Sequence, residues 1–447
     1  MSGLISKREE LEAHFKRYPD VPREVILKSD MLRLGVFFTE PVTQLTEGCR
    51  TKLYGGNVFA HDIVTPDEMP RVFRVPEFIE LRGGLYGLRG RLRVHSRVNT
   101  KTPYVVDVVD GAVRLCLREG ERKEPIADLW PFRPEPKFWS KKFEDGTPYK
   151  ELSWAEPHPI VFLMCQHWGP KEECKFCEIN YTWNMTHQHG VGTLKKPYTD
   201  PQQVAEVIAE IFREERAPED KPYGVLIDGG TITKQVAGLT ENEFYLRYVE
   251  AIREKIGPTW PICVMSHPQT KEGAKRWRDA GATKQCANIE VWDKRLFGTI
   301  CPGKERHIGW DNWVKRMLDE VEVFGWGNVE ATFVAGVEMA QPWGFTEVRD
   351  AVRSTTSGME YLMSHGIVPM MVVWAFYAGA ALKDQVRPPL EYYVEIARNW
   401  YELLCKYRLP GPTYGVWAPR MGPGRFEMVS SAVGDMGDEP LPSQSYD

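Results

Sequence analysis

The sequence lacks a run of basic residues and a long unbroken apolar segment. Its 447 residues include 57 Lys and Arg against 62 Asp and Glu, which gives a formal net charge of −5. This mild acidity, without a basic run, provides no electrostatic footprint for nucleic acid or an anionic membrane. The longest apolar run, residues 367–382, is short for a membrane span and is interrupted by Pro369 and Gly379. We therefore expect neither nucleic-acid binding nor a membrane span.

The start of the chain also lacks the apolar segment of a signal peptide, because charged residues appear from Lys7 onwards. The chain contains nine cysteines, an odd number, spread without the regular pairing of a disulfide framework. These features indicate a cytoplasmic protein with reduced thiols. The mild acidity of the chain, without a basic run, favours a small-molecule or carrier-bound substrate.

Changes in composition along the chain predict five segments. They are a peripheral helical arm over residues 1–30, a small β-rich domain over 31–130, a linker over 131–158, a larger domain over 159–410 and a C-terminal tail over 411–447. In the β-rich domain, short apolar runs separated by turn signals predict strands at residues 78–82, 90–95, 104–109 and 112–117. The linker is identified by its prolines and charges.

In residues 159–410, apolar runs alternate with amphipathic segments, a pattern typical of βαβ units and a parallel sheet. The predicted strands are residues 160–165, 224–228, 262–266, 285–291, 329–335 and 368–376. The predicted helices are residues 201–214, 241–255, 271–280, 310–323, 346–364 and 390–407. Six such pairs predict an α/β fold, a partial (β/α)6 TIM-type barrel with an N-terminal β-rich domain.

Three cysteines, Cys165, Cys174 and Cys177, follow the first predicted strand of the barrel. Thiolates are soft ligands that select zinc or iron–sulfur clusters. A structural zinc site normally has four protein ligands, and His187 or His189 is available as the fourth. Three thiolates alone leave one iron of a four-iron cluster open to a small molecule. The spacing by itself does not separate these two sites.

Other polar residues fall at or near the carboxyl ends of the later strands, where βα folds place their ligands. They are Gly229, Gly230 and Thr231 after the second strand, His267 after the third, Asn288 and Glu290 on the fourth, Glu338 after the fifth and Tyr377 at the end of the sixth. Strand alternation puts Cys286, Asn288 and Glu290 on one face.

Most of these residues also have a purely structural interpretation. The glycine pair is typical of a tight βα turn. Asn288 and Glu290 fit a buried polar pair, and His267 fits a packed or capping histidine. Tyr377 fits packing at the core and rim of the barrel.

Residues 155–410 resemble the radical S-adenosylmethionine (radical SAM) superfamily, and within it the biotin synthase and lipoyl synthase branch. The resemblance rests on the three cysteines after the first barrel strand, on Phe176 before the last of them, on Gly229-Gly230 and on the pair Asn288 and Glu290. The first cysteine spacing differs from the family's usual pattern, because eight residues rather than three separate Cys165 from Cys174. The sequence does not predict the path that this longer loop follows.

The resemblance implies that the three cysteines hold a [4Fe-4S] cluster whose fourth iron binds S-adenosyl-L-methionine. Cleavage of that cofactor by one electron would release a 5′-deoxyadenosyl radical, which abstracts hydrogen from an organic substrate. The implied partner is a low-potential electron donor such as flavodoxin or ferredoxin. The final reaction, that of an oxidoreductase or a transferase, is left open.

The resemblance also implies cofactor contacts for individual residues. Gly229, Gly230 and Thr231 match the element that meets the methionine amino group, Asn288 and Glu290 match the ribose contacts, and Glu338 ends the segment near adenine. Arg306, with Lys304 as the alternative, is the candidate donor to the methionine carboxylate. His267 and Tyr377 are the candidates for contact with the reacting groups.

Two alternatives remain from the residues. A zinc-stapled or electron-carrying barrel without catalytic activity is the alternative function. Cys263 and Cys286, on neighbouring strands, resemble the strand-borne cysteines that hold an auxiliary cluster in biotin synthase, and they equally fit small buried apolar residues.

Overall fold

The computed structural model describes residues 6–51, 74–153, 157–188, 192–216, 222 and 224–410. These residues form two six-stranded sheets, one from the first third of the chain and one from the remainder. The predicted tail over residues 411–447 and the candidate zinc ligand His189 lie outside the described residues.

The first sheet is mostly antiparallel, and its strands follow the spatial order β1-β4-β5-β6-β2-β3. The strands are β1 (Phe37–Phe38), β2 (Phe78–Gly83), β3 (Leu88–His95), β4 (Tyr104–Val109), β5 (Ala112–Glu119) and β6 (Arg122–Leu129). The four strands predicted here are confirmed. Strand β6 was not predicted, because Pro125 and four charged residues interrupt its apolar pattern. The register shifts between Leu115 and Cys116, opposite Pro125, which lets the ladder accommodate a residue without an N–H donor.

The helices that precede this sheet are α1 (Lys7–Arg17), α2 (Arg23–Leu34) and α3 (Glu40–Gln44). A capping box between Ser6 and Glu9 begins α1. The prediction of a peripheral arm is wrong for α2, since Val25, Ile26 and Leu27 are each at most 2% exposed. This helix packs against β3 and against the last helix of the chain. The linker contains a 3₁₀ turn (Lys137–Ser140) and the short helix α4 (Tyr149–Leu152).

The second sheet is parallel and follows the chain, with the order β12-β11-β10-β9-β8-β7. Its strands are β7 (Ile160–Phe162), β8 (Val225–Gly229), β9 (Ile262–Met265), β10 (Lys284–Cys286), β11 (Val329–Ala335) and β12 (Ile367–Val373). Strands that follow one another in sequence pair as neighbours, as a singly wound barrel requires. The partial (β/α)6 TIM-type barrel predicted from the sequence is confirmed.

Helices connect these strands. They are α5 (Ile179–Gln188), α6 (Pro201–Arg213), α7 (Glu241–Ile256), α8 (Lys271–Asp279), α9 (Lys294–Ile300), α10 (Pro302–His307), α11 (Trp310–Phe324), α12 (Val348–Ser364) and α13 (Leu390–Lys406). Their starts follow capping chemistry, for example Asp200, whose carboxylate accepts two N–H groups at the start of α6. In the described part of the chain, no helix combines the length and the apolar character that crossing a membrane requires.

Several barrel strands end before their predicted ends, and two of these, β7 and β10, lie at the site. Strand β7 stops at Phe162, and its free edge is covered by Tyr198 and its neighbours in an antiparallel bridge. Strand β10 stops at Cys286, and Glu290 rejoins the sheet through an isolated bridge to Phe333 with a φ of +66°. The predicted strand alternation of Cys286, Asn288 and Glu290 is therefore wrong, because the chain leaves the ladder between them.

Candidate active site

The loop after β7 brings Cys165, Cys174 and Cys177 together. All three residues are half-buried. Burial raises the pKa of the Cys165 thiol to about 11, with Cys174 as the next cause. Burial likewise raises the pKa of Cys177, and both other thiols add to the effect. All three thiols lie in the loop that follows β7, at the carboxyl edge of the parallel sheet.

The insert between the first two cysteines follows a defined path. At its start, the Gln166 amide oxygen accepts the N–H groups of Thr233 and Lys234, each at 2.8 Å. At its end, the Glu172 carbonyl accepts the Gly303 N–H at 3.0 Å, and Lys175 N–H donates to the Ile300 carbonyl at 2.9 Å. The extra residues thus bridge from the loop after β8 to the turn between α9 and α10.

The glycine pair packs directly against the cysteine loop. A Cβ atom on Gly230 would lie 1.8 Å from the Met164 carbonyl oxygen and 2.8 Å from the Cys165 Cα. A Cβ atom on Gly229 would lie 2.8 Å from the Tyr245 hydroxyl and 2.9 Å from the Phe162 nitrogen. Close backbone approach therefore requires glycine at both positions. Side chains here would fill the space at the base of the cysteine loop.

A buried polar chain runs beside this loop. His267 Nε2 lies 3.1 Å from the Thr231 hydroxyl and 3.2 Å from His167 Nε2. On its other side, His267 Nδ1 lies 3.5 Å from the Glu241 carboxylate. Burial lowers the pKa of His267 well below its ordinary value and lowers that of His167 to about 4, so both imidazoles stay neutral at pH 7. His267 thus connects the loop after β8 to the insert.

Sequence reasoning missed the partners of His267. His167 and His307 form ring contacts with it, at centroid distances of 5.2 and 5.4 Å. Burial raises the pKa of Glu241, the first residue of α7, to about 7. The position of His167 two residues after Cys165 was the one available signal, and nothing in the sequence connects Glu241 or His307 to the loop.

Glu290 forms a buried ion pair with Lys304. The Lys304 ammonium lies 2.5 Å from Glu290 Oε1 and donates to the Asn288 carbonyl at 2.8 Å. Burial alone would lower the pKa of Lys304, but the Glu290 carboxylate and the thiols of Cys174 and Cys301 hold it above its ordinary value. The Asn288 amide oxygen lies 3.5 Å from the Cys286 sulfur.

Arg306 lies at the surface, with its guanidinium 2.5 Å from the Glu172 carboxylate and bonded to the Lys171 carbonyl. Its side chain is 51% exposed, whereas that of Lys304 is 9% exposed. Arg306 therefore holds the insert against α10, and Lys304 is the cation that reaches the thiols.

The remaining predicted residues take structural positions. The Glu338 carboxylate accepts the Gly336 N–H at 3.0 Å and the hydroxyls of Thr355 and Tyr392. Its oxygens are thus occupied within the protein. Phe176, between two cysteines, packs against the main core, and Tyr377 is half-buried just beyond β12.

The segment that contains Tyr377 covers the end of the cysteine loop. Gly379 N–H faces the Glu178 carboxylate at 3.4 Å, and Leu382 N–H donates to the Lys175 carbonyl at 2.9 Å. A Cβ atom on Gly379 would collide with the Tyr181 ring. The last barrel strand and the cysteine loop therefore meet at the rim of the barrel.

The sequence left a single zinc ion and a multi-iron cluster open as occupants of the cysteine loop. Within the described ranges, no three Cys, His, Asp or Glu side chains converge tightly enough to hold one metal ion. His187, the described candidate for a fourth zinc ligand, is exposed and stacks on Trp183. In a four-iron cluster each thiolate binds its own iron, so the sulfurs surround a volume rather than a point.

No protein-family profile matches the chain. The chain is 24% identical over 331 residues to bacteriochlorophyllide c C-7(1)-hydroxylase of Chlorobaculum limnaeum. The alignment covers 69% of this chain and 76% of the hydroxylase. Among solved structures, methylornithine synthase aligns with a TM-score of 0.38 at 13% identity, over 59% of this chain and 71% of that one. A radical SAM methyltransferase from Sphaerobacter thermophilus aligns with a TM-score of 0.37 at 14% identity, over 70% of this chain and 77% of that one.

The structure thus combines a partial barrel with three cysteines in one loop at the carboxyl edge of its parallel sheet. The resemblance of residues 155–410 to the radical SAM superfamily, whose cofactors are a [4Fe-4S] cluster and S-adenosyl-L-methionine, is the basis of the proposal below.

Proposed function

We propose that Cys165, Cys174 and Cys177 ligate three irons of the [4Fe-4S] cluster and leave the fourth iron for S-adenosylmethionine. The observation that carries this proposal is that three half-buried cysteines lie in one loop at the carboxyl edge of a parallel sheet. The pinned path of the insert supports it, because a longer first spacing still returns Cys174 to the other two cysteines.

When bound, the two cofactors supply a 5′-deoxyadenosyl radical that removes a hydrogen atom from an organic substrate. The protein's part is to hold and orient them. Gly229 and Gly230 let the loop after β8 pack closely against the cysteine loop, and the proposed binding place of the methionine amino group lies beside this contact, next to the Thr231 hydroxyl. Asn288, which follows β10 in an irregular segment, is the proposed ribose contact.

We assign the charged contact with the methionine carboxylate to Lys304 rather than Arg306. An ammonium group has three N–H donors, and Lys304 uses two on Glu290 and on the Asn288 carbonyl. The ammonium also lies 4.7 Å from the centroid of the Trp313 ring, and its third N–H is the proposed donor to the carboxylate. The Arg306 guanidinium is already engaged at the surface by Glu172, and Glu338 shapes the turn after β11 instead of contacting a ligand.

The substrate proposed is a small organic molecule, and the reductant is a low-potential donor such as flavodoxin or ferredoxin. The Chlorobaculum limnaeum relative is a hydroxylase of a bacteriochlorophyllide. We take from it the reaction class, functionalisation of a C–H bond, as the first to test. Incubation with a bacteriochlorophyllide deuterated at its peripheral carbons supports this class if deuterium appears in 5′-deoxyadenosine. Formation of unlabelled 5′-deoxyadenosine alone counts against that substrate.

The ligand assignment is tested by anaerobic reconstitution of single variants. The wild-type chain should hold about four irons per chain and, with dithionite and S-adenosylmethionine, release 5′-deoxyadenosine. Cys165→Ala, Cys174→Ala and Cys177→Ala should each lose most of both properties. Cys116→Ala is the matched control, because Cys116 is a buried thiol in β5 of the other sheet. Colourless protein with stoichiometric zinc, or iron-loaded protein that releases no 5′-deoxyadenosine, would overturn the proposal.

A further inference from the structure

A cavity of about 550 Å³ lies between residues 193–199, which cover the free edge of β7, and the starts of helices α6 and α7. Its volume is within the range of sites that bind small organic ligands. Because helices form the outer layer of a βα barrel, the cavity lies outside the barrel interior. Of the described residues that line it, none is among those assigned above to the cluster or to S-adenosylmethionine.

The lining of the cavity contains an aromatic cluster. The Phe244 ring lies 6.4 Å from the Tyr198 ring and 5.2 Å from the Tyr248 ring, measured between centroids. Phe244 and Tyr248 are buried, whereas Tyr198 is half-buried. Leu194 and Leu239, both half-buried, add apolar surface to the lining. The cavity therefore offers an apolar surface to the ring of a ligand.

Backbone hydrogen bonds hold two of the segments that line the cavity. Leu163 N–H, just after β7, donates to the Pro197 carbonyl at 2.7 Å. A tight turn is closed by two hydrogen bonds between Val236 and Leu239, each at 3.0 Å. Ala237, within this turn, has a φ of +51°, a left-handed conformation that is uncommon for alanine. The cavity is thus bounded by backbone that is fixed without a ligand.

Three cations, Lys195, Lys196 and Arg247, also line the cavity, and all three are exposed. The Lys196 ammonium lies 5.5 Å from the centroid of the Tyr198 ring, so one of the cations reaches the aromatic cluster. Within the described ranges, no carboxylate forms an ion pair with any of these three side chains. Their positive charge is therefore available to a ligand.

The carboxylates of the lining are already engaged within the protein. Asp145 accepts the Thr147 N–H and the Gln203 side-chain amide, each at 2.9 Å. Asp200 accepts the N–H groups of Gln202 and Gln203 at 2.9 and 3.0 Å, where it caps the start of α6. The acids are thus used by the fold and the cations are not, which favours an anion as the ligand.

We propose that this cavity binds a small organic anion that carries an aromatic ring, such as an aromatic carboxylate. The ring packs against Tyr198 and Leu239, and the three cations bind the acid group. The inference concerns a second site and does not rest on the proposed ligands of the cluster.

The test is isothermal titration calorimetry of the full-length chain with 2-naphthoate and, as a neutral probe of the same shape, 2-naphthylmethanol. The wild type should bind 2-naphthoate more tightly than the alcohol. Lys195→Met, Lys196→Met and Arg247→Met should each weaken 2-naphthoate binding by about two- to fivefold and leave binding of the alcohol unchanged. Lys101→Met is the matched control, because Lys101 is an exposed lysine in a turn of the other sheet.

Each other result overturns the inference in a defined way. Equal affinity of the wild type for the two probes removes the assignment to an anion. Unchanged 2-naphthoate binding in all three variants, or an equal loss in Lys101→Met, removes the assignment to this cavity. Absence of binding of both probes at millimolar concentration removes the site itself. None of these readouts depends on iron or on S-adenosylmethionine, so they are independent of the outcome for the proposed function.

Discussion

At the scale of single residues, Gly230 shows how one missing side chain organises the site. Its Cα faces the backbone of Met164 and Cys165 so closely that a methyl group would overlap it. The sequence predicts a turn at Gly229-Gly230, but the contact joins residues more than sixty positions apart. No local sequence pattern can reveal such a contact, so the reason why position 230 requires glycine is seen only in the fold.

Gly230→Ala is predicted to lower the free energy of unfolding by roughly 1–3 kcal/mol, because the strand ends must move apart. Gly298→Ala is the control, since a Cβ atom there meets its nearest neighbour at an ordinary 3.5 Å within α9. That change should be neutral or stabilising by about 1 kcal/mol. Denaturant titration of the cluster-free proteins measures both, and a Gly230→Ala protein as stable as the wild type would contradict the close contact.

Lys304 and Arg306 lie two residues apart in α10, and the sequence favoured Arg306 for contact with the methionine carboxylate, whereas the fold buries Lys304. Both side chains are long and charged, and a helix of six residues gives too short a pattern to separate an inward from an outward face. The fold decides, because Lys304 reaches Glu290 whereas Arg306 meets Glu172 at the surface.

Lys304→Met is predicted to destabilise the protein by roughly 3–5 kcal/mol, since it leaves the Glu290 carboxylate buried without its partner. Lys315→Met is the matched control, because the pair with Asp319 is at the surface, where such pairs contribute about 0.5 kcal/mol. Adding Glu290→Gln to Lys304→Met should recover part of the loss. Equal effects of the two single lysine changes in thermal unfolding would contradict a buried ion pair.

At the scale of elements, long periodic segments were predictable and irregular ones were not. The barrel helices and most strands fall where the apolar pattern puts them. Strand β10 ends early, because Glu290 takes a positive φ and the chain bulges before it rejoins the sheet. Glu290 therefore lies at the site because of this bulge, and not because of the strand alternation from which its position was predicted.

Helix α2 was also misjudged, because residues 1–30 were assigned together to one peripheral arm. The Asp30 carboxylate is fully buried and lies 2.5 Å from the Lys7 ammonium of α1, from the Arg33 guanidinium and from the Tyr104 hydroxyl of β4. Three elements thus meet at one carboxylate, and a charge that looks exposed in sequence is satisfied inside.

The pH dependence of stability tests this junction. Burial acts to raise the pKa of Asp30, but Arg33 and Lys7 outweigh it and hold the pKa below its ordinary value. Asp30→Asn should therefore cost roughly 3–5 kcal/mol at pH 7. The cost should persist down to the ordinary carboxyl pKa of about 4 and shrink as pH falls through the lowered value.

Asp110→Asn is the control for that series, because Asp110 is 82% exposed. The free energy of unfolding of the Asp110→Asn variant should equal that of the wild type at every pH. Chemical denaturation at several pH values gives the comparison. A difference between Asp30→Asn and the wild type that grows on acidification would contradict the lowered pKa.

At the scale of the whole molecule, α2 joins the first sheet to the barrel, since it packs on β3 and also on α13 and β12. The sequence predicts the order of the elements because a singly wound barrel places neighbours in sequence next to one another in space. It does not predict this packing of the N-terminal helices, which depends on contacts between distant parts of the chain.

The central claim is that three thiols leave one iron of the cluster open to S-adenosylmethionine. It is tested most directly by electron paramagnetic resonance of the dithionite-reduced protein before and after addition of S-adenosylmethionine. The account predicts that the cofactor changes the spectrum of the wild-type cluster, because it binds the open iron directly. A cluster that assembles fully but whose spectrum does not change with saturating S-adenosylmethionine would contradict it.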